Sequence, residues 1–113
     1  MKKEYRIRKN EEFSEIIGER RRFSTFSFLV YYRKRKEEHA RIGISVSKKR
    51  GNAVVRNKIK RQLRMQIREC IDLDEFPLDL VIIVKDGYLR KSYADNKKDL
   101  EKSLKTVRIG KYS

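Results

Sequence analysis

Cysteine and histidine are nearly absent from this 113-residue chain, which holds one of each, Cys70 and His39. A single thiol excludes an internal disulfide, and the two residues together supply too few soft ligands for a zinc site. Cys70 lies on the apolar side of a predicted helix and is expected to be buried as a small hydrophobe. His39, in the polar stretch KRKEEHA, is expected on a solvated loop. No apolar run approaches the roughly 18 residues that a membrane-spanning helix needs. The opening MKKEYRIRKNEEF is charged like the start of an export signal but has no apolar stretch behind it, so a cytoplasmic location is expected. No Gly-rich phosphate loop is present, because the surroundings of Gly51 do not fit GxxxxGK[ST]. The lone histidine can be placed beside no particular Ser or Cys, so no catalytic residue is expected in the chain. Acidic residues are missing altogether from Lys48 to Arg68.

That last gap is filled by cations. The chain carries 31 Lys plus Arg against 16 Asp plus Glu, a formal charge of +15, which favours anionic partners: nucleic acid, an anionic membrane or an acidic protein. The charge is concentrated in KKRGNAVVRNKIKRQLR, from Lys48 to Arg64. If Val54 to about Cys70 is helical, at about 100° per residue, Arg56, Asn57, Lys60, Arg61 and Arg64 share one arc of about 140°. Val55, Ile59, Leu63 and Cys70 share another, with Ile67 at its edge, so one side can be buried while the other faces a ligand. Arg56 with Lys60, Lys60 with Arg64 and Arg64 with Arg68 are like-charge pairs at i, i+4, each unfavourable by a few tenths of a kcal/mol. A solvated face would mix signs to avoid that repulsion. A stripe that keeps it points to a polyanion, and nucleic acid is the natural one.

Around this stripe the chain reads as one domain, residues 1–113, with one core. Asn10 is a good N-cap for a short helix with Phe13, Ile16 and Ile17 on one side and Gly18 as its stop. Phe26 to Arg33 reads as a strand, with Phe28, Val30 and Tyr32 on one face and Leu29, Tyr31 and Arg33 on the other. Arg41 to Ser47 alternates Ile42, Ile44 and Val46 with Gly43, Ser45 and Ser47, and is expected to pair with the preceding strand as a hairpin. Its Gly and Ser face would let another chain or a nucleic acid backbone come close. After the basic helix, the acidic run Asp72 to Glu75 lacks defined ligand spacing and is expected as a solvated helix end rather than a metal site. Leu78 to Val84, LDLVIIV, predicts a central strand covered on both sides. Lys85-Asp86-Gly87 predicts a turn. Ser92 with Asp95 resembles a capping box that opens a last helix through Ala94, Lys97, Leu100, Leu104 and Val107, and a basic tail follows from Arg108 to Ser113. The order αββαβα predicts an α+β sandwich.

Aromatic residues favour RNA over duplex DNA. Phe13 and Tyr31 can line a shallow cleft where unpaired bases stack, although aromatics on amphipathic elements are more often core. A helix-turn-helix reader fits less well, because two strands precede the basic helix where that motif needs a helix. A polybasic membrane binder would need the large apolar residues opposite the cations to be exposed.

The stretch SVSKKRGNAVVRNKIKRQLR, Ser45 to Arg64, resembles the signature of the bacterial ribonuclease P protein component. RKNEEF, FLVYY, ARIGISVSKK, LDLVIIV and the last amphipathic helix stand in that family's order. The resemblance implies a small two-layer α/β sandwich like a domain of a small-subunit ribosomal protein and domain IV of elongation factor G, with a left-handed βαβ crossover. It implies an accessory subunit of an endoribonuclease whose active site lies in an RNA subunit. That RNA, with Mg²⁺ held mainly by the RNA, removes the 5′ leader of precursor tRNA. The residues matching the family's signature are Arg56, Asn57, Lys60, Arg61 and Arg64, facing the ribonuclease P RNA, with Lys48 and Lys49 near the cleft mouth. Phe13, Ile17 and Tyr31 match the single-stranded leader cleft, with Ile17 where the family often has an aromatic. The implied partners are the RNA and the leader, with no membrane and no obligate protein partner. The other reading compatible with the residues alone is a ribosomal or structural RNA-binding protein with no part in a reaction.

Overall fold

The computed structural model describes residues 1–109. The expected basic tail therefore lies, from Gly110 onward, outside the described residues. The elements are α1 (Asn10–Gly18), β1 (Arg22–Ser24), β2 (Phe28–Lys34), β3 (Ile42–Ser45), α2 (Ala53–Cys70), β4 (Leu78–Val84) and α3 (Tyr93–Ile109), with three-residue 3-10 turns at Lys3–Tyr5 and Lys48–Arg50. Asp86–Arg90 forms a longer 3-10 turn where the sequence predicted a simple reversal.

The strands form one sheet in the order β1-β2-β4-β3. β4 pairs antiparallel with β2 and parallel with β3, so the expected hairpin between β2 and β3 does not form. The reason lies in β4. With Leu80, Val81 and Ile82 apolar on both sides of the sheet and fully buried, it gains most from the central place. β3, whose second face is Gly43 and Ser45, is left to the side.

The sheet's two faces are unequal. Phe28, Val30, Tyr32, Ile42, Leu80, Ile82 and Val84 point to the side covered by Ile59, Leu63 and Ile67 of α2 and by Leu100, Leu104 and Val107 of α3. This is the main core. The opposite face carries a smaller cluster of Ile7, Ile16, Tyr31 and Val81, bordered by Phe13, Ile17, Leu29 and Ile83, under the nine-residue α1.

The hand of the β3–α2–β4 crossover follows from two hydrogen bonds. Viewed from the α2 side with β3 and β4 running upward, the Ile42 side chain points at the viewer, so L-chirality turns its carbonyl to the right, where it accepts from Ile7 N–H. The Arg41 carbonyl turns left and accepts from Leu80 N–H, which puts β4 to the left of β3 with α2 in front. That is a left-handed crossover, as the family resemblance implied and against the usual right-handed rule.

Helix ends depart in detail from the sequence reading. Asn10 is the first residue of α1 and makes no side-chain cap, while Lys9 holds the cap position. After Gly18 the left-handed backbone falls at Arg20, with φ 61. In α2 the cap is Asn52, whose side chain accepts from Val55 N–H at 3.0 Å. Val55, expected inward, is 37% exposed and packs instead against Gly51. Gln66 and Ile67 are instead fully buried. Ser92 caps α3 by accepting from Asp95 N–H at 3.1 Å.

Candidate nucleic-acid interface

The α2 cations separate into two rows. Arg56, Lys60 and Arg64, one turn apart, are half-buried along the side of the helix, while Asn57, Lys58, Arg61 and Arg68 are exposed. Within α2 the one acid is Glu69, in the last turn and paired with Lys97 of α3 at 2.6 Å, so no ion pair ties the cations upstream to a carboxylate of their own helix. Burial and the neighbouring Arg6 guanidinium both push the Arg64 pKa downward, the direction expected of a cation crowded by cations. The Nε groups of Arg6 and Arg56 are buried with no partner among the described residues.

Arg6 is a residue the sequence reading passed over. The N-terminal segment lies along the free edge of β3, where Arg6 bridges to Ile42 and Ile7 N–H donates to the Ile42 carbonyl at 2.9 Å. Arg6, Arg64 and Arg68 all depress the pKa of the Met1 amino group, which burial lowers first. The start of the chain thus extends the α2 stripe. The alternation of charge and bulk in EYRIR was the available signal, too short to read without a partner strand.

Phe13, Ile17 and Tyr31 come together as expected, on the face opposite α2. Tyr31 is nearly covered at 9% exposure, whereas Phe13 and Ile17 are partly open. The Phe13 ring lies so close to Gly43 that a Cβ there would stand 2.7 Å from its Cζ. The Gly and Ser face of β3 is therefore approached first by this helix. The cleft and the cationic stripe lie on opposite faces of the sheet and meet around the β3 edge, where Arg6 turns to Arg64 and Ile7 enters the cleft cluster. Lys48 and Lys49, both exposed, leave β3 at its end and lead into α2.

α1 is clamped over the cleft by charge. Arg41 makes a two-pronged pair with Glu12, at 2.6 and 2.8 Å. Arg33 and Asp79, opposite each other on β2 and β4 and both buried, approach at 3.4 Å, and Arg33 also reaches Glu15 of α1 at 3.1 Å. Hydrogen bonds from Arg41 hold the Glu12 pKa below its ordinary value. Burial raises that of Asp79 despite the bond from Arg41 N–H and the nearby Arg33.

A metal site does not fit these residues. Mg²⁺ seeks carboxylate oxygens, and the stripe offers none. In the acidic run, Asp72 accepts from Asp74 N–H at 3.0 Å and Asp74 from the Tyr5 hydroxyl at 2.6 Å, which also pushes the Tyr5 pKa up to about 12. Among the described residues no three His, Cys, Asp or Glu gather as a metal cluster, and no helix is long and apolar enough to cross a membrane. Cys70 is half-buried, its thiol pushed up to about 11 by burial.

A mixed sheet with a left-handed crossover, a cationic helix on one face and an apolar cleft under a short helix on the other define a small basic α+β protein with two candidate surfaces joined at one edge. The profile of the family described as Ribonuclease P matches residues 1–108. The ribonuclease P protein component of Mesoplasma florum is 47% identical over 103 residues, which cover 90% of this chain and 94% of that one. A mutant ribonuclease P protein of Staphylococcus aureus superposes with a TM-score of 0.83 at 36% identity, covering 94% of this chain and 90% of that one. For the ribonuclease P protein of Thermotoga maritima the values are 0.77 and 29%, with 89% and 96% covered. The chain belongs to the ribonuclease P protein family. It is the protein subunit of an endoribonuclease complex of tRNA processing, with the ribonuclease P RNA as its partner.

Proposed function

We propose that the α2 stripe, extended by Arg6 and by Lys48 and Lys49, holds phosphates of the ribonuclease P RNA, and that the cleft of Phe13, Ile17 and Tyr31 receives the single-stranded 5′ leader of precursor tRNA. The chain then assists leader removal in two ways. It fixes the leader relative to the RNA, and its charge lowers the repulsion between two polyanions. Mg²⁺ and the bond-breaking site belong to the RNA in this proposal, and no residue of this chain is catalytic.

The observation that carries the reading is the row of Arg56, Lys60 and Arg64 along one side of α2, with no acid from Lys48 to Arg68 and with Arg6 beside Arg64. Leader removal by a catalytic ribonuclease P RNA at low Mg²⁺ should be stimulated by the chain, and absence of stimulation would refute the assistance. If Arg56, Lys60, Arg61 and Arg64 each neutralise one phosphate, replacing all four by Ala should flatten the dependence of log affinity on log salt by roughly 3. An unchanged slope would remove α2 from the interface.

A further inference from the structure

One exposed aromatic belongs to neither surface. Phe26, in the turn between β1 and β2, is 51% exposed. A single exposed apolar residue needs no explanation by itself, but this one is fixed from every side. Thr25 N–H donates to the Phe28 carbonyl at 2.8 Å, and its hydroxyl accepts from Phe28 N–H at 3.0 Å. Ser27 donates its N–H to Asp99 and its hydroxyl to Asn96, both on α3. Lys85 donates to the Ser24 hydroxyl and the Thr25 carbonyl. The ring rests on Gly87, where a Cβ would come within 2.7 Å of it, and the Lys91 ammonium lies 4.7 Å from its centroid. A ring held this way loses little freedom when something stacks on it.

Beside it runs a groove of about 530 Å³ between the turn and α3, lined by Phe26, Lys91, Lys98 and Lys102 with Asp95 and Asp99. Asp99 is engaged by Ser27 N–H. Lys98, Lys102 and Lys105 fall within about 60° on α3. Although acids stand three or four residues away, none of the three lysines makes an ion pair among the described residues. β1 is the sheet edge opposite β3, and the groove lies between its end and α3, with Lys91 also lining a pocket beside Lys58 of α2.

We propose that the groove is a second site for single-stranded RNA, where an unpaired base stacks on the exposed part of the Phe26 ring and flanking phosphates lie against Lys91, Lys98 and Lys102. Single-strand sites pair a stacking platform with a cationic track, whereas a duplex hides its base faces. The site does not depend on what the cleft and the α2 stripe bind.

The test uses the full chain with Arg56→Ala, Lys60→Ala, Arg61→Ala and Arg64→Ala together with Phe13→Leu, so that neither the α2 stripe nor the cleft contributes, titrated with an unstructured pyrimidine RNA of about 12 nucleotides. Residual binding should fall about tenfold on adding Phe26→Ala and persist with Phe26→Trp, as loss of one stacked base predicts. Lys98→Ala with Lys102→Ala should flatten the salt slope by about 1.4. RNA carrying 4-thiouridine should cross-link to the peptide that contains Phe26. Affinity unchanged by Phe26→Ala, or equal competition from blunt duplex RNA, overturns the proposal. So does a change in self-association on Phe26→Ala with RNA binding intact, which would make the face a protein contact. Because Phe26 is a surface residue, thermal melts of these variants should match the parent.

Discussion

Gly43 carries no side chain, and the Phe13 ring occupies the place where one would begin. Gly43→Ala should therefore push that ring out of the cleft, at about 1 to 3 kcal/mol of stability, and weaken binding of a leader oligonucleotide. Adding Phe13→Leu should recover stability, read by urea unfolding, without recovering leader affinity. Recovery of both would mean that the ring is core only. The Glu12–Arg41 clamp on the same helix gives a pH dependence. Because Glu12 titrates lower in the folded chain, its contribution is complete above the ordinary Glu value of about 4.3 and is lost as pH falls through the lowered one. Asp79, raised by burial, acts in the opposite direction and gains as pH falls. NMR signals of α1 should broaden or shift below about pH 4 before those of α2 change. Simultaneous loss would show that the clamp has no local effect.

Among the elements, α2 separates its two duties by face. Leu63 is fully buried and one residue from Arg64. Leu63→Ala should cost about 2 to 5 kcal/mol in unfolding free energy while leaving the salt slope of RNA binding unchanged, because the cations keep their positions. The sequence disclosed this helix, its arc of cations and the alternation of β2, since each rests on a local period. It did not disclose β1, a three-residue edge strand too short to show a period. Nor did it place β4 between β2 and β3, since pairing is decided by which strand buries most and not by order along the chain. The crossover hand came from family resemblance, where general rules give the opposite. The clamp from Arg33, Arg41 and Asp79 to α1 stayed hidden because charges in strands look like solvent-facing residues until their neighbours are known. Phe13 and Tyr31 could be read as a cleft from their elements, Ile17 joined them only through the family, and Arg6 was legible only once its strand partner was in view.

For the whole molecule, a charge of +15 on a chain with a radius of gyration of 13.0 Å means strong self-repulsion. Among the described residues seven ion pairs oppose it, and the five with an exposed partner are worth about 0 to 1 kcal/mol each. Repulsion should dominate. The melting midpoint is then expected to rise as NaCl goes from about 20 to about 200 mM, where screening shortens to under 10 Å. A falling midpoint would show that the ion pairs outweigh the repulsion.

The insertion of β4 between β2 and β3 also orders events on the ribosome. A nascent chain ending before Leu78 has made β2 and β3 but not the strand that joins them, so β3 has no neighbour on its inner edge. The joining of β3 to β2 waits for Leu78–Val84 to be made, and until then the apolar sides of both strands are exposed to whatever holds unfinished chains.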